Sequence, residues 1–177
     1  MRNIFFIVSL VVFFSCSFSK EKKNDKSFFD FDKVVHFSKD INETEILNIY
    51  QLAEQNGKGS NEDIYANLVS EFYPLNIERE FEKDLYDFNF NSKKVDSKKH
   101  FELNHIFSER KCDSSFVFAC VPIYRDILLF YKNDSLIGIA KICFQCRQSH
   151  ILGAKNNTGD FGQCGGYEKL YKLLKSK

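Results

Sequence analysis

Apolar residues recur three and four positions apart in the first half of the chain, a spacing that predicts amphipathic helices. The clearest case follows Asn42, a good N-cap residue with Glu45 three positions later, which is the sequence of a capping box. Ile41, before the cap, is placed for a hydrophobic contact with the first helical turn. Gly57 follows the last apolar position and favours helix termination. The pattern therefore predicts a helix over Glu43–Asn56.

Two more helices are predicted before residue 90. Ser60 is the N-cap candidate of the first, and Pro74 prevents this helix from continuing. The second is predicted over residues 77–87, where apolar residues again lie three and four positions apart. The buried face of the helix after Ser60 is predicted to consist of Ile64, Leu68 and Phe72.

Shorter patterns predict strands and a last helix. Aromatic and β-branched residues favour a strand over residues 33–37, and looser alternation predicts another over residues 100–108. Residues 91–99 are rich in lysine and serine and are interpreted as a connection. A C-terminal helix is predicted to start near Tyr167. Its buried face would consist of Leu170, Tyr171 and Leu174.

The strongest strand signal is a hairpin at about 126–144. Two runs rich in Ile, Leu and Phe flank the turn sequence K-N-D-S. With Asn133 and Asp134 as the central turn residues, Asp126 would lie opposite Lys141. The pattern predicts an α+β fold, with a helical N-terminal half packed on a small, mainly antiparallel sheet and a C-terminal helix.

The N-terminus has the pattern of an export signal. A basic start is followed by an apolar run over residues 4–14, too short for a spanning helix, which needs about 20 residues. The run ends at Ser15-Cys16 and resembles a bacterial lipoprotein signal, which implies a diacylglycerol group on Cys16. An ordinary signal peptide cut near Ser17 or Ser19, or an uncleaved anchor, would fit the same pattern.

The predicted organisation is a signal peptide over residues 1–15, a lipidated cysteine and flexible tether over 16–27, and one α+β domain over 28–177. Removing residues 1–15 removes Arg2, which leaves 24 basic against 24 acidic residues. Such a balanced domain lacks the basic footprint of a nucleic-acid-binding protein. The expected contacts are therefore the membrane, through the N-terminal lipid, and an envelope partner that the sequence does not identify.

The location expected from this anchor is the cell membrane or the outer membrane. In the lipoproteins that the signal resembles, acidic residues directly after the cysteine mark transfer to the cell surface. The residues after Cys16 are S-F-S-K, which contain no acid. A periplasm-facing position is therefore expected.

Five cysteines remain beyond Cys16, and this odd number leaves one without a partner in the chain. In the first interpretation, two structural disulfides form among four of them and Cys112 is unpaired, as an oxidising compartment favours. The hairpin favours a bond between Cys120 and Cys146, although other pairings stay open. The four candidates are Cys120, Cys143, Cys146 and Cys164.

Two alternatives use the C-x-x-C motif formed by Cys143 and Cys146. The motif could bind a structural zinc ion together with two other cysteines or His150. It could also act as a redox-active dithiol. A thioredoxin-like site would place the motif at a helix start, whereas here it follows a predicted strand.

No familiar catalytic constellation accompanies these cysteines. The sequence has no phosphate-binding glycine loop, no H-E-x-x-H motif and no nucleophile elbow. A polar group beside the cysteines could form a site, but a local ion pair is the preferred interpretation. The expectation is thus a non-enzymatic binding or scaffolding protein without a required cofactor, although zinc is possible. The polar group consists of Tyr124, Arg125, Asp126 and Lys141.

The last third of the chain carries motifs that resemble an uncharacterised family of Bacteroidota lipoproteins. The motifs are C-x-P-x-Y-R-D from Cys120, K-I-C-F-x-C from Lys141, Q-S-H-I-x-G from Gln148 and F-G-Q-C-G from Phe161. The resemblance implies lipoprotein identity but no known activity. Cys112 lies outside these motifs.

Overall fold

The computed structural model describes residues 26–113 and 118–176. These residues form a five-stranded antiparallel sheet with helices on both faces, which confirms the α+β fold. The strand order across the sheet is β2-β1-β3-β4-β5. The strands are β1 (Lys33–Ser38), β2 (Asn91–Lys94), β3 (Asp126–Lys132), β4 (Ser135–Cys143) and β5 (Gln148–Leu152). The helices are α1 (Glu43–Asn56), α2 (Asn61–Ser70), α3 (Glu80–Asp87), α4 (His100–Ile106) and α5 (Gly166–Lys175).

The predicted signal peptide and Cys16 lie outside the described residues. Two residues assigned to the tether nevertheless contact the domain. The Lys26 carbonyl accepts a hydrogen bond from the Glu109 N–H at 2.8 Å, and Ser27 forms an isolated β-bridge with Ser108. Within residues 26–113 and 118–176, no helix combines the length and the apolar character needed to cross a membrane.

The central strand β3 is buried on both faces of the sheet. Its alternate residues Leu128 and Phe130 pack with α4 and α5, on what we call the phenylalanine face. Ile127 and Leu129 pack with α1, α2 and α3, on what we call the three-helix face. Because both faces are covered, the strand is a continuous apolar run and not a polar–apolar alternation.

Aromatic rings fill the phenylalanine face. Phe29 stacks on Phe130 with ring centroids 4.2 Å apart, and Phe107 meets Phe130 edge-on at 4.9 Å. Phe161 lies 4.8 Å from Phe107. Offset and edge-on contacts at these distances are the favourable aromatic geometries. Rings from both ends of the chain therefore close this side of the core.

Helix α1 begins and ends at the predicted residues. The Asn42 side chain accepts a hydrogen bond from the Glu45 N–H at 2.9 Å, as an N-cap does. Gly57 follows the helix with a φ of 83°, a conformation that glycine adopts without strain. Ile41 and Ile46 are both buried at the predicted hydrophobic contact.

Helices α2 and α3 exist, and the buried face of α2 differs from the predicted one. Ser60 caps α2 by accepting from the Asp63 N–H at 3.2 Å. Phe72 lies beyond the end of α2 and is 64% exposed, and α3 begins three residues later than predicted. The buried apolar side chains are Tyr65, Ala66, Leu68 and Val69 in α2 and Phe81 and Leu85 in α3.

The strand predicted over residues 100–108 was wrong, because this segment forms helix α4. Leu103, Ile106 and Phe107 are buried at helical spacing, whereas Phe101 is 70% exposed. In so short a segment, the alternating positions also fit a strand, so periodicity alone did not discriminate. The lysine-rich connection before it contains edge strand β2 and a short 3-10 helix (Ser97–Lys99).

The hairpin formed by β3 and β4 is confirmed, but its register changes along its length. Asn133 and Asp134 both have positive φ, as a two-residue type I′ turn requires. The pairing then shifts at a bulge: Tyr131 lies opposite Leu136, Phe130 lies opposite Gly138, and Ile137 of β4 has no partner in β3. The adjacent Gly138 lies under the Phe29 ring, where a Cβ atom would collide.

The bulge overturns the predicted cross-strand ion pair. Asp126 lies opposite Ile142, and Lys141 lies opposite Ile127. A one-residue shift sends a side chain to the other face of the sheet. Asp126 and Lys141 therefore lie on opposite faces.

At the C-terminal end, one strand was not predicted, whereas helix α5 begins near the predicted residue and buries Leu170 as predicted. Strand β5 follows the C-x-x-C turn directly and pairs with β4, although no strand was predicted there. Helix α5 buries Leu173, whereas Tyr171 is 49% exposed. The side of α5 that packs on the phenylalanine face contains Tyr167, Leu170 and Leu173, which only partly matches the predicted side.

Candidate functional site

The C-x-x-C motif lies in the turn that joins β4 to β5. Cys143 is the last residue of β4, and residues 144–147 form the turn. Arg147 has a φ of 49° and redirects the chain into β5. The Cys146 N–H points at Cys143 Sγ over 3.3 Å. In an extended strand, two residues three positions apart would point to opposite faces. The turn instead brings Cys143 and Cys146 to the same side.

Two disulfides are present among the described cysteines. Cys120 bonds to Cys146, with Cα atoms 6.0 Å apart, and this is the pairing that the hairpin favoured. Cys112 bonds to Cys164, with Cα atoms 6.1 Å apart, and Cys143 is a buried free thiol. The prediction that Cys112 would be unpaired was therefore wrong. The unpaired residue is Cys143.

The bond between Cys112 and Cys164 has no local sequence signal, because 52 positions separate the two residues. Cys164 lies in the turns before α5 with a φ of 52°. The Asp160 carboxylate accepts a hydrogen bond from the Cys112 N–H at 3.3 Å. The packing of α4 against α5 and the ring contact between Phe107 and Phe161 bring these two segments together.

Both disulfides begin in one connection, which we call the cysteine loop (residues 107–125). It joins α4 to β3, and its described residues form neither a helix nor a strand. Connections of this length usually serve a function or lack order. Cys120 ties the loop to the β4–β5 turn, and Cys112 ties it to the start of α5. Phe118 and Val121 of this loop are 48% and 66% exposed.

Tyr124 closes the inner side of the C-x-x-C turn. Its side chain packs with Cys143 and Cys146 and is 2% exposed. Its N–H donates to the Val69 carbonyl at 2.7 Å, which ties this segment to α2. Burial and then the neighbouring Cys143 raise the pKa of Tyr124 to about 12. The ring is therefore neutral and acts as packing.

Lys141 is fully buried beside this ring, with Nζ 4.5 Å from the Tyr124 ring centroid. Nζ donates to the carbonyls of Glu71 and Tyr73, both at 2.6 Å. The Asn67 carbonyl lies 3.5 Å away. Lys141 thus donates to carbonyl groups at and just beyond the C-terminal end of α2, where positive charge is favourable.

The charge state of Lys141 depends on opposing effects. Burial lowers its pKa to about 7, and the Glu71 carboxylate acts in the opposite direction. Three carbonyl groups and the Tyr124 ring also favour the ammonium form. The residue is 0% exposed. Its role is to hold the chain after α2 against the sheet.

Asp126 lies on the phenylalanine face. Its Oδ1 is 2.8 Å from His36 Nε2 and 3.8 Å from Lys175 Nζ. His36 and Asp126 are each 7% exposed. The four polar residues predicted as one group therefore divide between the two faces of the sheet, with Tyr124 and Lys141 on one side and Asp126 on the other.

Arg125 lies at the rim between them, beside a cleft of about 810 Å³. Its side chain donates to the Ile41 carbonyl at 2.7 Å and to Gln145 Oε1 at 2.8 Å. Cations and carboxylates are equally represented in the cleft wall, so it favours no ligand of one charge sign. The charged wall residues are Lys39, Arg125 and Lys175 against Asp40, Glu43 and Asp126.

His150 does not join the cysteines. Its Nε2 is 3.0 Å from the Pro74 carbonyl, and its ring meets Phe72 edge-on at 5.4 Å. Burial lowers its pKa. Among residues 26–113 and 118–176, no group of three or more His, Cys, Asp or Glu side chains could hold a metal ion. A zinc site therefore has no support from the described geometry.

Comparison with protein-family models, with curated proteins and with solved structures finds no match to this chain. The chemistry of the candidate site is described by its side chains. These provide two disulfides, a buried thiol beside one of them and a loop, exposed at residues 118–121, that both disulfides tie to the domain.

Proposed function

We propose that this protein is a lipid-anchored domain of the cell envelope that binds a partner through the cysteine loop and has no catalytic role. One observation carries the proposal. Both disulfides hold a single long loop on the surface of the domain. Two covalent ties reduce the freedom of a loop before binding, which lowers the entropy cost of ordering it on a partner.

The disulfides also support the proposed location. Such bonds persist in exported proteins and are rare in the cytosol. The N-terminal apolar run and Cys16 supply the export signal and the acylation site expected from sequence. Two or more acyl chains, such as palmitate beside a diacylglycerol, hold a protein on a membrane far better than one.

The anchor is tested by replacing Cys16. We expect the Cys16→Ser variant to leave the membrane fraction, and the wild-type mass to carry acyl groups on the N-terminal residue. Ser19→Ala is the matched control, because it alters a neighbouring polar residue and keeps Cys16. Retention of Cys16→Ser in the membrane would contradict the lipid anchor.

The binding role is tested by cross-linking in intact cells. Exposed apolar side chains at a loop are typical contact residues. We expect a cross-linked species in wild type that is lost when Phe118 and Val121 are both changed to Ser. Phe101→Ser is the control, because Phe101 is equally accessible but lies on α4. Equal loss in the control would show that the loop is not the binding surface.

A second candidate function is that of an envelope thiol–disulfide oxidoreductase. The observation that favours it is a free thiol at Cys143 in a C-x-x-C turn next to a disulfide. Such an enzyme would reduce a fluorescent reporter disulfide repeatedly in the presence of glutathione. Cys146→Ser should then lose the turnover, whereas absence of turnover in wild type would eliminate this function.

A further inference from the structure

The β4–β5 turn and the cysteine loop bring three cysteines together. Two of them form a disulfide, and the third is a free thiol. Cys146 is bonded to Cys120, and Cys143 packs against Cys146 from the inner side. The Cys146 N–H lies 3.3 Å from Cys143 Sγ. The free thiol and the bond to Cys120 therefore meet at one residue, Cys146.

Cys146 is placed so that it can pair with either neighbour. Cys143 and Cys146 flank the two residues Phe144 and Gln145 in the chain reversal between β4 and β5. The ends of a four-residue turn lie within about 7 Å, which overlaps the Cα separation of disulfides. The Cys143 and Cys146 sulfurs therefore lie within reach of each other in this turn.

Cys120 is the cysteine that can leave. It is exposed, and its carbonyl is held by the Gln148 side chain at 3.0 Å. The second disulfide, between Cys112 and Cys164, ties the same loop to the domain independently. Release of Cys120 would therefore free one sulfur without freeing the whole loop.

We propose that Cys143 is an internal nucleophile that exchanges with the Cys120–Cys146 disulfide and delivers Cys120 as an accessible thiol. The Cys143 thiolate attacks Cys146 Sγ, the bond from Cys143 to Cys146 forms, and the bond from Cys146 to Cys120 breaks. Cys120 leaves as a thiolate and takes a proton from water, which has received the proton of Cys143. The step needs no external oxidant, because one disulfide replaces another.

The product is a modification site for a small-molecule or protein disulfide. The Cys120 thiolate attacks a disulfide R–S–S–R, a Cys120–S–S–R bond forms, and R–S⁻ leaves. Glutathione disulfide is a suitable probe of this second step. The inference deepens the second candidate function but does not require catalytic turnover. It is also independent of the lipid anchor.

The positions of Lys and Arg allow a direct test on the full mature protein. Trypsin gives the peptides 112–125, with Cys112 and Cys120, 142–147, with Cys143 and Cys146, and 156–169, with Cys164. In the described pairing, all three peptides are linked. After exchange, 142–147 is released as an internally oxidised peptide, and 112–125 stays linked to 156–169.

The protein is incubated with N-ethylmaleimide under native conditions, quenched in acid, digested and analysed by mass spectrometry. We expect oxidised 142–147 and alkylated Cys120 to increase together with time. In Cys143→Ser, labelling of Cys120 should decrease at least tenfold. Cys143→Ala is a second variant should the first not fold, and circular dichroism reports the fold of each. With glutathione disulfide in place of the alkylating agent, wild type should gain one glutathione on Cys120.

Two results would overturn the proposal. One is labelling of Cys143 alone while the three peptides stay linked, which identifies a passive buried thiol. The other is equal labelling of Cys120 in wild type and Cys143→Ser, which means that the disulfide opens without Cys143. Exchange without turnover of the reporter disulfide would eliminate only the oxidoreductase function and leave this inference intact.

Discussion

The two faces of the sheet are closed by different chemistry. The centre of the phenylalanine face is apolar, with rings of Phe29, Phe107 and Phe130 in mutual contact. The three-helix face receives the fully buried Lys141, whose nitrogen donates to carbonyl groups after α2. The difference shows that the same strands tolerate a buried lysine side chain on one side, provided that its hydrogen bonds are made.

The largest effect is expected from breaking the aromatic side. Phe107 is 0% exposed and contacts rings from both ends of the chain. Phe107→Ala should lower the free energy of unfolding in urea by about 3–5 kcal/mol, because it removes a buried ring and leaves a cavity. Phe101→Ala, at an exposed position of α4, is the control and should change stability little. Equal effects of the two variants would argue against the packing described.

Replacing the buried lysine tests the three-helix face. Lys141→Met keeps the length of the side chain but leaves the Glu71 and Tyr73 carbonyls without their donor. We expect a loss of about 2 kcal/mol at pH 9. Each of the two unsatisfied acceptors costs about 1–3 kcal/mol, and the proton that Lys141 releases on folding offsets about 2 kcal/mol of the total at this pH. Lys83→Met is the control, because Lys83 is exposed on α3. A neutral or stabilising Lys141→Met would mean that Lys141 does not hold the chain after α2.

The pH dependence of stability is a second test of the buried lysine on the three-helix face. In the folded protein, burial lowers the pKa of Lys141 to about 7, whereas in the unfolded chain the pKa has its ordinary value of 10.5. Between these values the unfolded state binds more protons, so stability rises with pH, by at most ~1.4 kcal/mol per pH unit.

Urea unfolding of wild type and Lys141→Met at pH 7, 8 and 9 measures this effect. The difference between the two free energies of unfolding removes the contribution of the other titrating groups, which both proteins share. Wild type should gain stability relative to the variant as the pH rises. A constant difference between the two proteins would show that the carbonyl groups keep Lys141 protonated throughout this range.

The smallest expected effect lies at the edge of the three-helix face. Asn42 caps α1 through its side chain, so Asn42→Ala should cost about 1 kcal/mol. Asn42→Gly should cost only a few tenths of a kcal/mol, since glycine is tolerated at this position. Thermal unfolding of both variants measures the difference. If they lose equal stability, the side-chain cap makes no contribution.

The features that could be predicted from sequence depend on residues close together in the chain. The caps of α1 and the turn at Asn133 and Asp134 involve hydrogen bonds and backbone conformations within a few residues. The predicted hairpin was sufficient to place Cys120 near Cys146. Part of the candidate site was predictable for this reason.

The remaining features depend on contacts between distant segments. The bulge at Ile137 occurs where Gly138 meets the Phe29 ring, and it decides which way Lys141 points. Residues 100–106 became a helix because Leu103 and Ile106 pack on the phenylalanine face. Short local patterns do not contain this information.

The amino-acid sequence by itself determined the α+β class, the limits of α1, the hairpin turn and the proximity of Cys120 to Cys146. The tertiary structure decided that Cys112 bonds to Cys164 and that Cys143 is the free thiol. It also placed Asp126 and Lys141 on opposite faces of the sheet. The physical reason is that local hydrogen bonds and turn conformations act within a few residues, whereas pairing and register are settled by packing across the whole core.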